Sequence, residues 1–168
     1  MLGLDKLNKI VDGKTNFYFE KKDSEGKKIS VAFQVNPSAD YDQISCIEQL
    51  LGKSLPKEYK DFLVLYDGAR LYDYEGLDGF QLLGCSEIVK ANSFAKATFE
   101  EEWEDNLLIF AKYIGESNYL AFDTSNENKN VIDCYCEESP GDWSSIAKNF
   151  NEFLDLLIES DGNKYWLK

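Results

Sequence analysis

Apolar residues recur along this chain with two periods, and each change of period marks an element. Residues 2–11 repeat at helical spacing, with Leu4, Leu7, Ile10 and Val11 on one face. Two alternating runs follow, 16–20 and 27–35; the second puts Ile29, Val31, Phe33 and Val35 on one side of a strand. The polar segment KKDSEG between them has turn chemistry, so the pair predicts a hairpin.

Helical spacing returns at Ile44, Ile47, Leu50 and Leu51, after Pro37, with Ser38 or Asp40 as the cap. Gly52 suits the helix end, where a left-handed residue is wanted. Pro56 opens a second helix, because its fixed φ and missing N–H suit a first turn. Tyr59, Phe62, Leu63 and Tyr66 form the buried stripe of that helix, and Gly68 ends it. The stretch ARLYDYEGLDG, 69–79, reads as a loop, and 80–84 as a strand. Segment 86–105 continues as a helix, with Ser86 as its cap and Glu87 in its first turn. Residues 107–113, 118–123 and 130–136 read as three strands, with a polar turn at 124–130 between the last two. The chain closes on a helix capped by Asn149, with Glu152 three residues later and Phe150, Phe153, Leu154, Leu157 and Ile158 as its stripe. Gly162 stops it. The order predicts an α+β fold: a single antiparallel sheet with helices packed mainly on one side. No linker divides the chain, so 1–36 is expected as a helix and hairpin extension and 37–168 as the core domain.

Composition narrows the function classes. A chain of 168 residues with 43% hydrophobic and 14% aromatic residues can bury a core, which excludes wholesale disorder. It has no histidine, so the commonest general base and metal ligand at neutral pH is missing, along with every His-dependent triad. No phosphate-binding glycine motif is present. No catalytic residue and no cofactor are therefore expected. Of the four cysteines, only Cys134 and Cys136 are close, while Cys46 and Cys85 stand alone; a four-cysteine zinc site needs two close pairs. Free thiols and no metal are expected. Asp5 and Lys6 interrupt the N-terminal apolar residues, so no secretory leader is read, and no run of about 18 apolar residues is present to span a membrane. The expected location is the cytoplasm.

Charge points to a partner. The formal net charge is −13, which repels nucleic acid and anionic membrane and attracts basic proteins. The acids fall in three segments. The first holds Asp73, Glu75 and Asp78; the second Glu100, Glu101, Glu102, Glu104 and Asp105. The third holds Asp133, Glu137, Glu138 and Asp142. Each is interleaved with aromatics: Tyr72 and Tyr74, Phe99 and Trp103, Tyr135 and Trp143. Adjacent acids on one segment do not flank a scissile bond, so the second segment does not read as a glycosidase pair. Trp103 and Trp143 are expected in the core. The acids are expected to meet a basic partner, the plain alternative being a solvated face.

The stretch IEQLLGKSLPKEYKDFLVLYDG, 47–68, resembles the signature of the SUKH superfamily, which also contains the fungal cell-wall-assembly regulators. Glu48, Leu51, Gly52, Leu55, Pro56 and Glu58 carry the resemblance, followed by Tyr59, Lys60, Phe62, Leu63 and Gly68; Asp67 stands where the family usually has Asn. LLIFAKYIGESNYLAFD resembles the family's strand, glycine turn and strand, through Phe110, Ala111, Gly115, Asn118, Phe122 and Asp123, with one glycine where consecutive glycines are usual. IAKNFNEFLDLLIES resembles the closing helix, and together the motifs cover about 37–160. The resemblance implies a non-enzymatic binding domain. Many bacterial members are immunity proteins that neutralise a polymorphic toxin, often a nuclease. It thus implies a cognate toxin as partner; the charge pattern makes the acidic segments the expected contacts, with no direct contact to nucleic acid or membrane. The alternative is a scaffold or regulatory interaction domain with an endogenous partner.

Overall fold

The computed structural model describes residues 1–167, so the last position of the 37–168 range lies outside the described residues. Eight antiparallel strands form one sheet in strict chain order. They are β1 (Asn16–Lys22), β2 (Lys28–Val35), β3 (Ala69–Tyr74), β4 (Asp78–Leu82), β5 (Leu107–Tyr113), β6 (Tyr119–Asp123), β7 (Val131–Cys134) and β8 (Ser144–Ala147). The helices are α1 (Gly3–Val11), α2 (Tyr41–Leu51), α3 (Lys57–Leu65), α4 (Cys85–Phe99) and α5 (Phe150–Glu159). The fold is α+β, as the order of periods predicts.

Three local expectations change. The stretch 69–79 is not a loop but β3 and its tight link to β4. A register shift between Leu71 and Tyr74 hides the strand: Tyr72 adopts φ 55°, so Leu71 and Tyr72 are both buried and the alternation breaks. Strand β8 carries little apolar signal, and its pairing Val131↔Ala147 with β7 forms it. Ser86 does not cap α4. The helix starts at Cys85, whose N–H donates to Asp67 Oδ1 at 2.6 Å. For α2 the cap is Asp40, which accepts from Gln43 N at 2.8 Å.

The core is built around Tyr59. Its ring lies 5.0–5.6 Å from those of Phe62, Phe110, Phe122 and Phe150, and Phe110 stacks on Phe122 at 4.0 Å. Phe110 sits where β5 bulges, between the pairs Ile109↔Ala121 and Ala111↔Leu120. The Tyr59 hydroxyl donates to the Leu83 carbonyl at 2.6 Å and lies 3.0 Å from the Phe110 carbonyl. One phenol thus bridges the end of β4 and the bulge, where the Phe110 carbonyl also accepts from Leu83 N at 2.8 Å. Where β4 parts from β5, Asn92 of α4 takes its place. It donates to the Ile109 carbonyl at 2.9 Å and accepts from the Ile109 N–H at 2.8 Å.

Three of the four carboxylates of the 47–68 segment accept from backbone N–H groups, while the fourth, Asp61, is exposed and pairs with Lys57. Glu48 accepts from Leu55 N at 2.7 Å, ahead of α3, and Glu58 accepts from Asn151 N at 3.1 Å, in the first turn of α5. With Asp67 at Cys85, two of the three place negative charge on helix starts, where the dipole favours it. Gly84 makes the Asp67 approach feasible, since a Cβ there would lie 2.8 Å from Asp67 Oδ1.

The first 36 residues are tied in by polar contacts as well as strands. β2 pairs with β3, and the Leu4 N–H of α1 donates to Asn151 Oδ1 of α5 at 3.0 Å. Lys21 of β1 is buried with its ammonium on the Asp161 carbonyl at 2.8 Å. Burial pushes its pKa down.

Candidate functional site

Three glutamates cannot extend a helix cheaply at its C-terminus, where the dipole is negative. Helix α4 stops at Phe99, Glu100 takes φ 51°, and 100–102 form one tight turn before Trp103. On the far side of the sheet order, β7 stops at Cys134 and Pro140 opens a second tight turn that leads to Trp143. The Trp143 indole N–H donates to the Tyr135 carbonyl at 2.8 Å and closes that loop on itself.

The two loops meet through their aromatics. Phe99 and Trp143 pack edge to face at 5.2 Å, Trp103 lies 6.1 Å from Phe99, and Trp103 and Trp143 are 6.3 Å apart. Trp143 is buried and Trp103 half-buried. This cluster fixes the second and third acidic segments in one relation. Glu100, Glu101, Glu102, Glu104, Asp105, Glu137, Glu138 and Asp142 are all exposed around it. Among the described residues, only Asp105 has a cation, Lys96 at 3.6 Å. Glu137 accepts from the Tyr135 hydroxyl at 2.9 Å.

The first segment is elsewhere, at the β3–β4 turn. Asp73 is half-buried, accepts from Arg70 Nε at 2.9 Å and holds the turn through Gly76 N at 2.8 Å. Asp78 accepts from Gly79 N at 2.8 Å, and Glu75 is exposed. Leu50, expected in the α2 stripe, is instead exposed, at the rim of a hollow of about 280 Å³ beside Trp103.

A larger cavity, of about 430 Å³, opens next to the 135–143 loop. Its walls come from β5, β7, β8 and the C-terminal turn at 165–167. Asp133 accepts from the Tyr113 hydroxyl at 2.7 Å and from the Trp166 indole N–H at 3.0 Å. Lys164 pairs with Glu116 at 2.7 Å and lies 4.4 Å over the Tyr113 ring. Burial opposes ionisation of Glu116, but hydrogen bonds from Lys164 and Asn118 outweigh it and hold the carboxyl below its usual range. Sequence reasoning picks out Glu138 and Asp133 of this cavity but neither Tyr113, Lys164 nor Trp166. No local pattern joins residues from three separate stretches, so no signal could have found them.

Among the described residues, no group of three or more Cys, Asp or Glu is placed to hold a metal ion. Cys134 is buried and Cys136 exposed. No described helix is long and apolar enough to cross a membrane.

Comparison with known proteins places this geometry in a family. The model of the SMI1 / KNR4 family (SUKH-1) matches residues 38–156. The chain is also similar to two proteins of Bacillus subtilis (strain 168). It is 27% identical over 138 residues to "Uncharacterized protein YnaB", covering 80% of this chain and 86% of that one. It is 28% identical over 143 residues to "Uncharacterized protein YobM", covering 80% and 75%. The matched family span contains all three acidic segments and excludes α1, β1 and β2.

Proposed function

The chain belongs to the SMI1 / KNR4 family (SUKH-1), and on that premise we propose that it is an immunity protein that binds and neutralises a cognate toxin. The family includes immunity proteins, which are generally non-enzymatic. One observation carries the reading: the Phe99–Trp103–Trp143 cluster holds two acidic loops in fixed relation, with their carboxylates left in water. Fixed loops lose little entropy on binding, and unpaired charges speed the encounter with a basic surface. In this proposal Glu100, Glu101, Glu102, Glu104, Asp105, Glu137, Glu138 and Asp142 meet the toxin. Asp73, Glu75 and Asp78 form a second contact region. A nuclease is the toxin that best fits, because its substrate groove is basic and carboxylates compete there with phosphate. The protein would act in the cytoplasm, where such a toxin finds its substrate.

The test is to search the flanking genes for a toxin domain, whose repeated absence overturns the reading, and to co-express the one found with this chain. Growth should be restored, and the purified pair should associate. The double variant Glu101→Lys, Glu102→Lys should slow association about tenfold at low salt and flatten its salt dependence. Association at an unchanged rate removes these acids from the interface. A neighbouring toxin that the chain neither binds nor neutralises overturns the immunity reading.

A further inference from the structure

We infer that the cavity over Asp133 receives the guanidinium of an arginine side chain presented by the partner protein. This rests on the reading of the chain as a binder of a basic protein and names what that partner inserts.

Charge comes first. Among the described residues, Glu116, Asp133 and Glu138 line the cavity against one cation, Lys164. Lys164 is already committed to Glu116 at 2.7 Å. Asp133 is held by two neutral donors, and among the described residues no ammonium or guanidinium lies within ion-pair distance of it. A half-buried carboxylate so arranged is aimed and rigid but uncompensated, which favours an incoming cation.

Shape and wall chemistry select the cation. Tyr113 and Trp166 stack with ring centroids 6.4 Å apart, and Tyr135 also lines the cavity. Aromatic faces attract a cation that also carries a planar π system, and the fork of a guanidinium matches a carboxylate with two bonds. Ser144 and Ser145 add hydroxyl acceptors for the remaining N–H groups. Burial, and after it Asp133, push the Tyr113 phenol far above its ordinary pKa, so it stays a donor to Asp133 at any physiological pH. Tyr135 and Glu138 belong to the same loop as Trp143. A partner that covers the acidic surface therefore passes over the cavity mouth.

The experiment needs no toxin. The chain has three tryptophans, Trp103, Trp143 and Trp166, so a ¹⁵N spectrum shows three indole N–H signals. Titration with N-acetyl-arginine amide should move the Trp166 signal saturably, with a dissociation constant in the millimolar range, and leave the other two in place. N-acetyl-lysine amide should bind about threefold or more weakly, and the neutral citrulline analogue should not bind. Asp133→Asn should weaken arginine binding about tenfold. Because Asp133 also joins Tyr113 to Trp166, Lys164→Met serves as an independent variant; by removing the resident cation it should tighten binding. No saturable shift in the wild-type protein, an equal response to citrulline, or weaker binding by Lys164→Met would overturn the inference. Any of these leaves the immunity reading standing, since growth rescue measures that separately.

Discussion

The 47–68 corner and the loops around Trp103 and Trp143 are both rich in carboxylates and aromatics, and they use them in opposite ways. In the corner, Glu48, Glu58 and Asp67 each accept a backbone N–H, and Tyr59 gives its hydroxyl to backbone carbonyls. In the loops, the aromatics bind one another while Glu100, Glu101, Glu102 and Glu104 are exposed, with no cation partner among the described residues. A carboxylate spent on a helix start contributes to folding and is hidden from a partner. One left in water contributes little to folding and remains free to bind. The resemblance of the corner to a family signature is thus a statement about the frame, and the loops are where recognition is proposed.

Substitutions can separate the two regions. The largest effect should come from Tyr59→Ala, which removes a fully buried ring and its hydrogen bond and should cost about 3–5 kcal/mol in a urea melt. A cost under about 1 kcal/mol would break the assignment of Tyr59 as the anchor. Next is Asp67→Ala, which strips the start of α4 and should cost about 1–2 kcal/mol. Partner association per folded molecule should not change in either case.

An alkaline titration sharpens the same region. Burial, then Asp67, push the Cys85 thiol from 9.0 up to about 12. Burial also raises Tyr59 and Tyr72 above their ordinary 10.0. The unfolded chain therefore loses these protons first, and stability is full below pH 9 and falls as pH rises from about 9 towards 12. Lys21, whose pKa burial lowers, acts with the opposite sign just below 10.5. Urea midpoints at pH 7.5, 9 and 10 should fall in that order, and Cys85→Ala should reduce the slope. A flat profile would show that Cys85 is not sealed. The smallest effect on folding belongs to Glu101→Lys, Glu102→Lys, within about 0.5 kcal/mol, although the same change should act strongly on binding. A large loss of stability would mean that these acids serve the frame after all, and the contrast between regions would fail.

Much of the frame was legible in the residues. Period, cap and glycine signals located α1, α2, α3 and α5, the β1–β2 hairpin and the β5–β6–β7 meander. They failed where pairing overrides local pattern: at β3, whose register shift puts Tyr72 beside Leu71 in the core, and at β8, which exists because β7 lies beside it. The acidic segments were legible as charge, but their grouping was not. Trp103 and Trp143 join two of the three, and Arg70 ties down Asp73 of the remaining one. The Asp133 cavity was out of reach, because Tyr113, Asp133 and Trp166 share no local pattern.

The sequence by itself determined most of the elements and the antiparallel α+β class, because apolar periodicity and turn residues act over a few neighbours and need no distant partner, and its motifs carried the resemblance to the family. Only the tertiary structure decided which acids are part of the frame and which face water. That choice depends on whether a carboxylate meets an unsatisfied N–H, an aromatic wall or bulk solvent, and those neighbours come from elsewhere in the chain.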